Sequence, residues 1–137
     1  MKVIAVDYGS ARTGVAVSDP SGTIARPLGV VERAGGEAGL NRLVELIRAE
    51  EAERVVVGLP LTLRGERGAQ AQETETFVEA LRAVVDVPVE SFDERFTTRL
   101  ARTGPRDSPP DRSEPDDARA AAHLLSSYLE WSSAGRE

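Results

Sequence analysis

The chain of 137 residues contains no cysteine. That one absence excludes a disulfide framework, a thiolate zinc site and a cysteine nucleophile. A reducing compartment is compatible with it. Lysine is scarce too: of 17 basic residues, all but Lys2 are arginine. Aromatics make up only 4%, so the composition promises no single-strand stacking surface. No apolar run approaches the ~18 residues of a membrane span. The stretch from Met1 to Val6 is too short for a signal sequence and reads straight into a strand. The expectation is a cytoplasmic protein without membrane contact. Basic residues are outnumbered by 23 acidic ones, for a net charge of -6. That balance argues against a protein that coats nucleic acid nonspecifically, because phosphate neutralisation drives such binding. A nuclease stays open, since metal ions can supply the positive field at a phosphate.

A hydrophobic fraction of 40% supports one real core at this length. One domain is expected over residues 1–131, with a frayed tail at 132–137. Val3-Ile4-Ala5-Val6 reads as a strand that ends at Asp7. Tyr8 to Arg12 supplies a turn, and Gly14 to Ser18 a second strand. Asp19-Pro20-Ser21-Gly22 is a turn cluster. Thr23 to Val31 returns as a third strand, weakened by Pro27. The period then changes. Leu40, Leu43, Val44 and Ile47 predict a helix over 37–51. Arg54 to Gly58 is a strand covered on both faces. Residues 62–68 form a polar loop. Phe77, Leu81, Val84 and Val85 mark a second helix, and Val87 to Phe92 a fifth strand. A short helix is expected after Thr97. Four prolines between Thr103 and Pro115 predict a mobile loop. A last helix starts near Asp116, with a stripe of Ala118, Ala121, Ala122, Leu125 and Leu129. This order favours an α/β fold with a five-stranded mixed sheet flanked by helices.

Carboxylates stand at three places where that fold concentrates chemistry. Asp7 closes the first strand, Asp93-Glu94 closes the fifth, and Asp116-Asp117 opens the last helix. Hard cations such as Mg²⁺ take oxygen ligands of this kind. A pair of such ions can promote phosphodiester cleavage. Each position also has a plainer reading. Asp before a Gly-containing turn is often a turn former. Asp93-Glu94-Arg95 is also a surface ion-pair cluster. Acids at a helix start are favoured by the helix dipole without any metal. His123, the only histidine, reads as a packing or capping residue. Tyr128 and Trp131 read as core or interface contacts.

Four segments in order resemble the YqgF/RuvX family, nucleases similar to Holliday-junction resolvases. They are Val6-Asp7-Tyr8-Gly9 with Arg12 and Gly14 to Asp19; Val56 to Pro60; Asp93-Glu94-Arg95-Phe96-Thr97-Thr98; and Asp117-Ala118-Arg119-Ala120-Ala121 with Tyr128. The resemblance spans nearly the whole chain. It implies an RNase H-like fold and a nuclease that uses Mg²⁺ or Mn²⁺. It carries the acidic ligand positions onto Asp7, Glu94 and Asp117, with Asp93 as the alternative to Glu94. Arg12 and Arg95 become phosphate contacts, and Thr98 supports the site by hydrogen bonding. The implied partner is structured RNA, through maturation of the 5′ end of the 16S rRNA precursor, or branched DNA. Either a monomer or a homodimer is compatible.

One segment departs from the family pattern. Relatives carry a basic stretch before the final Asp, whereas residues 104–114 here hold two arginines against three carboxylates. That favours a third reading, a non-catalytic binding module on the same fold. A fourth, an ATPase of the sugar-kinase and actin type, is suggested by the Asp7-Tyr8-Gly9-Ser10 turn. It needs a second similar domain, for which 137 residues are too few.

Overall fold

The structure is a computed structural model that describes residues 1–62, 64–96 and 116–135. The strands are β1 (Val3–Asp7), β2 (Arg12–Ser18), β3 (Ala25–Glu32), β4 (Arg54–Leu59) and β5 (Val89–Asp93), and β1, β2 and β4 are rich in β-branched residues. The helices are α1 (Glu37–Ala49), α2 (Ala69–Arg82) and α3 (Asp116–Gly135). A single 3₁₀ turn, Glu94–Phe96, follows β5. The strands make one sheet in the order β3-β2-β1-β4-β5. β1 pairs antiparallel with β2, and β2 with β3. β4 runs parallel to both β1 and β5. This is the mixed five-stranded sheet of an RNase H-like fold, as the sequence leads one to expect.

Alternation along each strand divides the core in two. Ile4, Val6, Val15, Val17, Val55 and Val57 face α1 and α2, where Leu43, Ile47, Phe77 and Leu81 cover them. Val3, Ala5, Ala16, Val56 and Phe92 face α3. Alanines in the sheet on this side meet Ala121 and Ala122 of α3, so the helix lies close to the strands. Every residue of the expected α3 stripe is buried.

Boundaries shift from the sequence reading for local reasons. β3 starts at Ala25, not Thr23, because Asp19 accepts hydrogen bonds from the N–H groups of Thr23 and Ile24 and holds them in the turn. Its Pro27 is tolerated on an edge strand. α1 ends at Ala49, not Glu51, since Glu51 takes a left-handed φ of 55° that reverses the chain. Val84 and Val85 lie past the end of α2, where their N–H groups both reach the Leu81 carbonyl. β5 begins only after Pro88, whose carbonyl accepts from Val55 N–H. α3 stays helical to Gly135, so its backbone continues past the Ser132 boundary expected for a frayed tail. The helix expected after Thr97 and the loop from Thr103 to Pro115 lie outside the described residues. No described helix is long and apolar enough to cross a membrane.

Candidate active site

The parallel strands β1, β4 and β5 all point their carboxyl ends to one edge of the sheet. Asp7 is the last residue of β1 and Asp93 the last of β5. Crevices at such ends are where open α/β sheets bind ligands. β1 and β5 are not neighbours, because β4 lies between them. Even so, the side chains of Glu94 and Asp7 are joined by a hydrogen bond. Gly58 of β4 makes room for this. A Cβ on Gly58 would stand 2.7 Å from Oε1 of Glu94 and 3.1 Å from its Cγ. The Glu94 carboxyl therefore passes over the one position in β4 that offers no side chain.

Both carboxyls are half-buried and both hold their protons more tightly than usual. Burial raises Asp7 most; the Glu94 hydrogen bond pulls it down and the charge of Asp117 pushes it up. Glu94 is pushed up to about 7, first by burial and then by the charge and hydrogen bond of Asp7. The negative charge of Asp7 thus disfavours ionisation of Glu94 beside it. Asp93 behaves differently. Its carboxylate accepts two hydrogen bonds from Nε of Arg95, at 2.9 and 3.1 Å, and one from Nη2 at 2.6 Å. The Arg95 fork holds it below the usual carboxylate range. So the structure brings Glu94, not Asp93, to Asp7.

Asp117 reaches the same edge from α3. Asp7 pairs across the sheet with Gly14 of β2. A Cβ on Gly14 would fall 1.8 Å from the Asp117 carbonyl oxygen, so helix backbone rests directly on strand backbone there. The Asp117 carboxylate lies 3.9 Å from Nη1 of Arg12. Asp116 points elsewhere, to an exposed ion pair with Arg119. Arg12 is exposed and flanks the carboxylates. Arg95 is occupied by Asp93 and lies against Gly65 of the loop after β4. Thr98 lies outside the described residues.

The donor chemistry suits a hard divalent cation. Asp7 and Glu94 bring carboxyl oxygens together, and a cation there would favour both in their ionised form. Among the described residues no three acidic or histidine side chains lie close enough to hold an ion together. Asp117 is the member that stands off, beside Arg12. The sequence reading places Gly14 and Gly58 within the family-like segments, and Gly58 at a strand end, but gives neither a role in this arrangement. What marks them in the residues themselves is a glycine within an otherwise apolar strand.

Comparison with known proteins gives the family and the fold. The family model described as RuvX, Holliday junction resolvase, matches residues 1–131. The chain belongs to the RuvX family. A relative from Chloroflexus aggregans is 40% identical over 131 residues, covering 93% of this chain and 92% of its own. One from Syntrophomonas wolfei is 35% identical over 140 residues, covering 100% and 99%. Both carry the provisional name of pre-16S rRNA nuclease. Among solved structures, Thermus thermophilus RuvC in complex with a Holliday junction aligns with a TM-score of 0.65. Its identity is 18%, and the match covers 98% of this chain and 96% of that one. That likeness is one of fold, and the fold is the RNase H-like one.

Proposed function

We propose that this RuvX chain is a metal-dependent endonuclease that processes the 5′ end of the 16S rRNA precursor. The observation that carries the reading is the meeting of the Asp7 and Glu94 carboxyls, built across Gly58 of β4 at the carboxyl edge of the sheet. Two half-buried acids side by side disfavour ionisation, and a bound cation relieves that. The names of the relatives support the choice of RNA. In this reading Asp7, Glu94 and Asp117 hold Mg²⁺ or Mn²⁺, which when bound supplies Lewis acidity and strengthens water as a nucleophile. Asp7 and Glu94 act as donors in their ionised form. Arg12 leaves Asp117 to neutralise substrate phosphate, and Arg95 leaves Asp93 for the same purpose. Thr98 supports the site from the next segment.

A second reading, resolution of branched DNA, is favoured by the description of the matched family. One assay separates the two. Wild type and Asp7→Asn are given the precursor 5′ leader and a four-way DNA junction side by side, with Mg²⁺ or Mn²⁺. The expected outcome is cleavage of the RNA by wild type and none by a folded Asp7→Asn. Cutting of the junction alone moves the function to DNA. Full activity in Asp7→Asn removes the nuclease mechanism.

A further inference from the structure

The polar loop that follows β4 is a closed turn at the edge of the candidate site. β4 ends at Leu59, whose register partner is Asp93 at the end of β5, so the loop leaves from the carboxyl edge of the sheet. Thr62 then closes it on Glu66 and Gly65. Its N–H donates to the Glu66 carbonyl at 3.0 Å, and its carbonyl accepts from Gly65 N–H at 2.8 Å. Its hydroxyl oxygen accepts from Glu66 N–H at 3.0 Å. Gly65 has a φ of 82°, in the left-handed region that favours glycine.

The same glycine ties the turn to the site. A Cβ on Gly65 would stand 3.1 Å from Nη1 and 3.4 Å from Nη2 of Arg95, so the Arg95 guanidinium lies against it. Arg95 is held in turn by Asp93 and directly follows Glu94, the carboxyl that meets Asp7. Arg64 is the residue before Gly65. It is exposed, and among the described residues it has no ion-pair or hydrogen-bond partner. The arginines beside it are engaged: Arg67 by Glu75 and Arg95 by Asp93, each at 2.6 Å. An uncommitted guanidinium is thus carried on a preset turn, so little ordering is needed when an anion arrives.

Position and charge balance say what that anion is. Arg12 heads β2, and the Arg64 turn follows β4; the two strands flank β1, which ends at Asp7. A strand of nucleic acid crossing the carboxyl edge at Asp7 and Glu94 meets Arg12 on one side and Arg64 on the other. Such binding draws on phosphate neutralisation. The chain as a whole carries a net charge of -6, and residues 104–114 hold more carboxylates than arginines. Its cationic contacts have to be single arginines at the edge.

We propose that Arg64 is a phosphate contact that holds the sugar-phosphate backbone of the substrate on the β4–β5 side of the Asp7–Glu94 site, opposite Arg12. A backbone contact positions the strand and carries no sequence information, so it serves RNA and DNA alike. This inference rests on the nuclease reading for its substrate, but it can fail by itself, because binding is read without cleavage.

Full-length protein in EDTA is titrated with a labelled oligoribonucleotide from the precursor leader, by anisotropy at several salt concentrations, and with a four-way DNA junction in the same way. Arg64→Ala should bind roughly three- to tenfold more weakly at low salt, and the slope of log affinity against log salt should shrink by about 0.7 to 0.9. Arg64→Lys should restore the slope, since a point charge still displaces counterions. Arg48→Ala is the control. It removes an equal charge from the last turn of α1, just before β4 begins at the other edge of the sheet, and should change neither quantity. Thermal unfolding should show an unaltered Tm in all three variants. A wild-type slope in Arg64→Ala overturns the contact. So does an equal loss in Arg48→Ala, because the effect is then one of overall charge, and so does a wild type that binds neither nucleic acid. Cleavage with Mg²⁺ or Mn²⁺ separates this inference from the nuclease reading. Wild-type cleavage with an unchanged Arg64→Ala slope keeps the nuclease and removes the contact. A reduced slope with no cleavage of any strand does the reverse.

Discussion

The backbone carbonyl of Asp117 rests on Gly14. A methyl group at that glycine would lie 1.8 Å from the carbonyl oxygen and 2.3 Å from its carbon. Backbone cannot yield as a side-chain tip can. Gly14→Ala must therefore lift the start of α3 off β2. A stability loss of about 1–3 kcal/mol is expected, as for other overpacked contacts. Cleavage should fall as well, because Asp117 moves with the helix. Denaturant unfolding and a cleavage assay on the same preparation check both. An unchanged midpoint means that the helix approaches less closely than described.

Gly58→Ala should separate the two effects. The atoms that it meets, Oε1 and Cγ of Glu94 at 2.7 and 3.1 Å and Cδ2 of Leu124 at 3.1 Å, all belong to side chains. They can move, so the fold should lose little. The Asp7–Glu94 contact cannot survive the movement of Glu94. Misplacement of a reacting group by ~1 Å can cost on the order of 100-fold. A large drop in cleavage rate with a nearly unchanged Tm is expected. Normal rates would show that the pair is not needed.

Acidity gives a third test. Glu94 has an ordinary value of 4.5 and a folded value of about 7. Between those values the folded protein binds the extra proton, so unfolding becomes easier as pH rises. Asp7, also raised, acts in the same direction. In EDTA, stability should be greatest at and below about pH 4.5 as far as this pair is concerned. It should fall through pH 7 and level off above. Glu94→Gln should flatten that slope. Thermal unfolding of both proteins across pH 5 to 8 gives the comparison, and parallel curves would contradict the raised value of Glu94.

Arg12→Ala should leave stability almost untouched. Its ion pair with Asp117 is long and solvent-exposed, and such pairs contribute ~0–1 kcal/mol. Substrate binding should weaken instead. If Arg12 meets one phosphate, the slope of log affinity against log salt should shrink by about 1. Binding measured at several salt concentrations decides it. A slope equal to that of wild type assigns Arg12 to the protein alone.

Much of this was legible in the residues. The mixed sheet followed from strand runs that first return by short turns and then alternate with helical periods. Asp7, Glu94 and Asp117 could be named because each closes or opens an element beside a family motif. The family pattern favoured Glu94 and left Asp93 as the alternative, since neighbours in a chain look alike until one is seen to turn toward Arg95 and the other toward Asp7. The place of Arg64 was hidden for a related reason. The residues show a polar loop but not that Gly65 brings it against Arg95.

Gly58 has a consequence for how chains like this are sorted. A survey that asks only for acids would accept any relative with carboxylates at the positions of Asp7, Glu94 and Asp117. A relative with those acids and a bulkier residue at position 58 would pass, although its two carboxyls could not meet. The useful diagnostic is thus a position with no chemistry of its own. Loss of the carboxyl pair can begin there while both carboxyls are still in place.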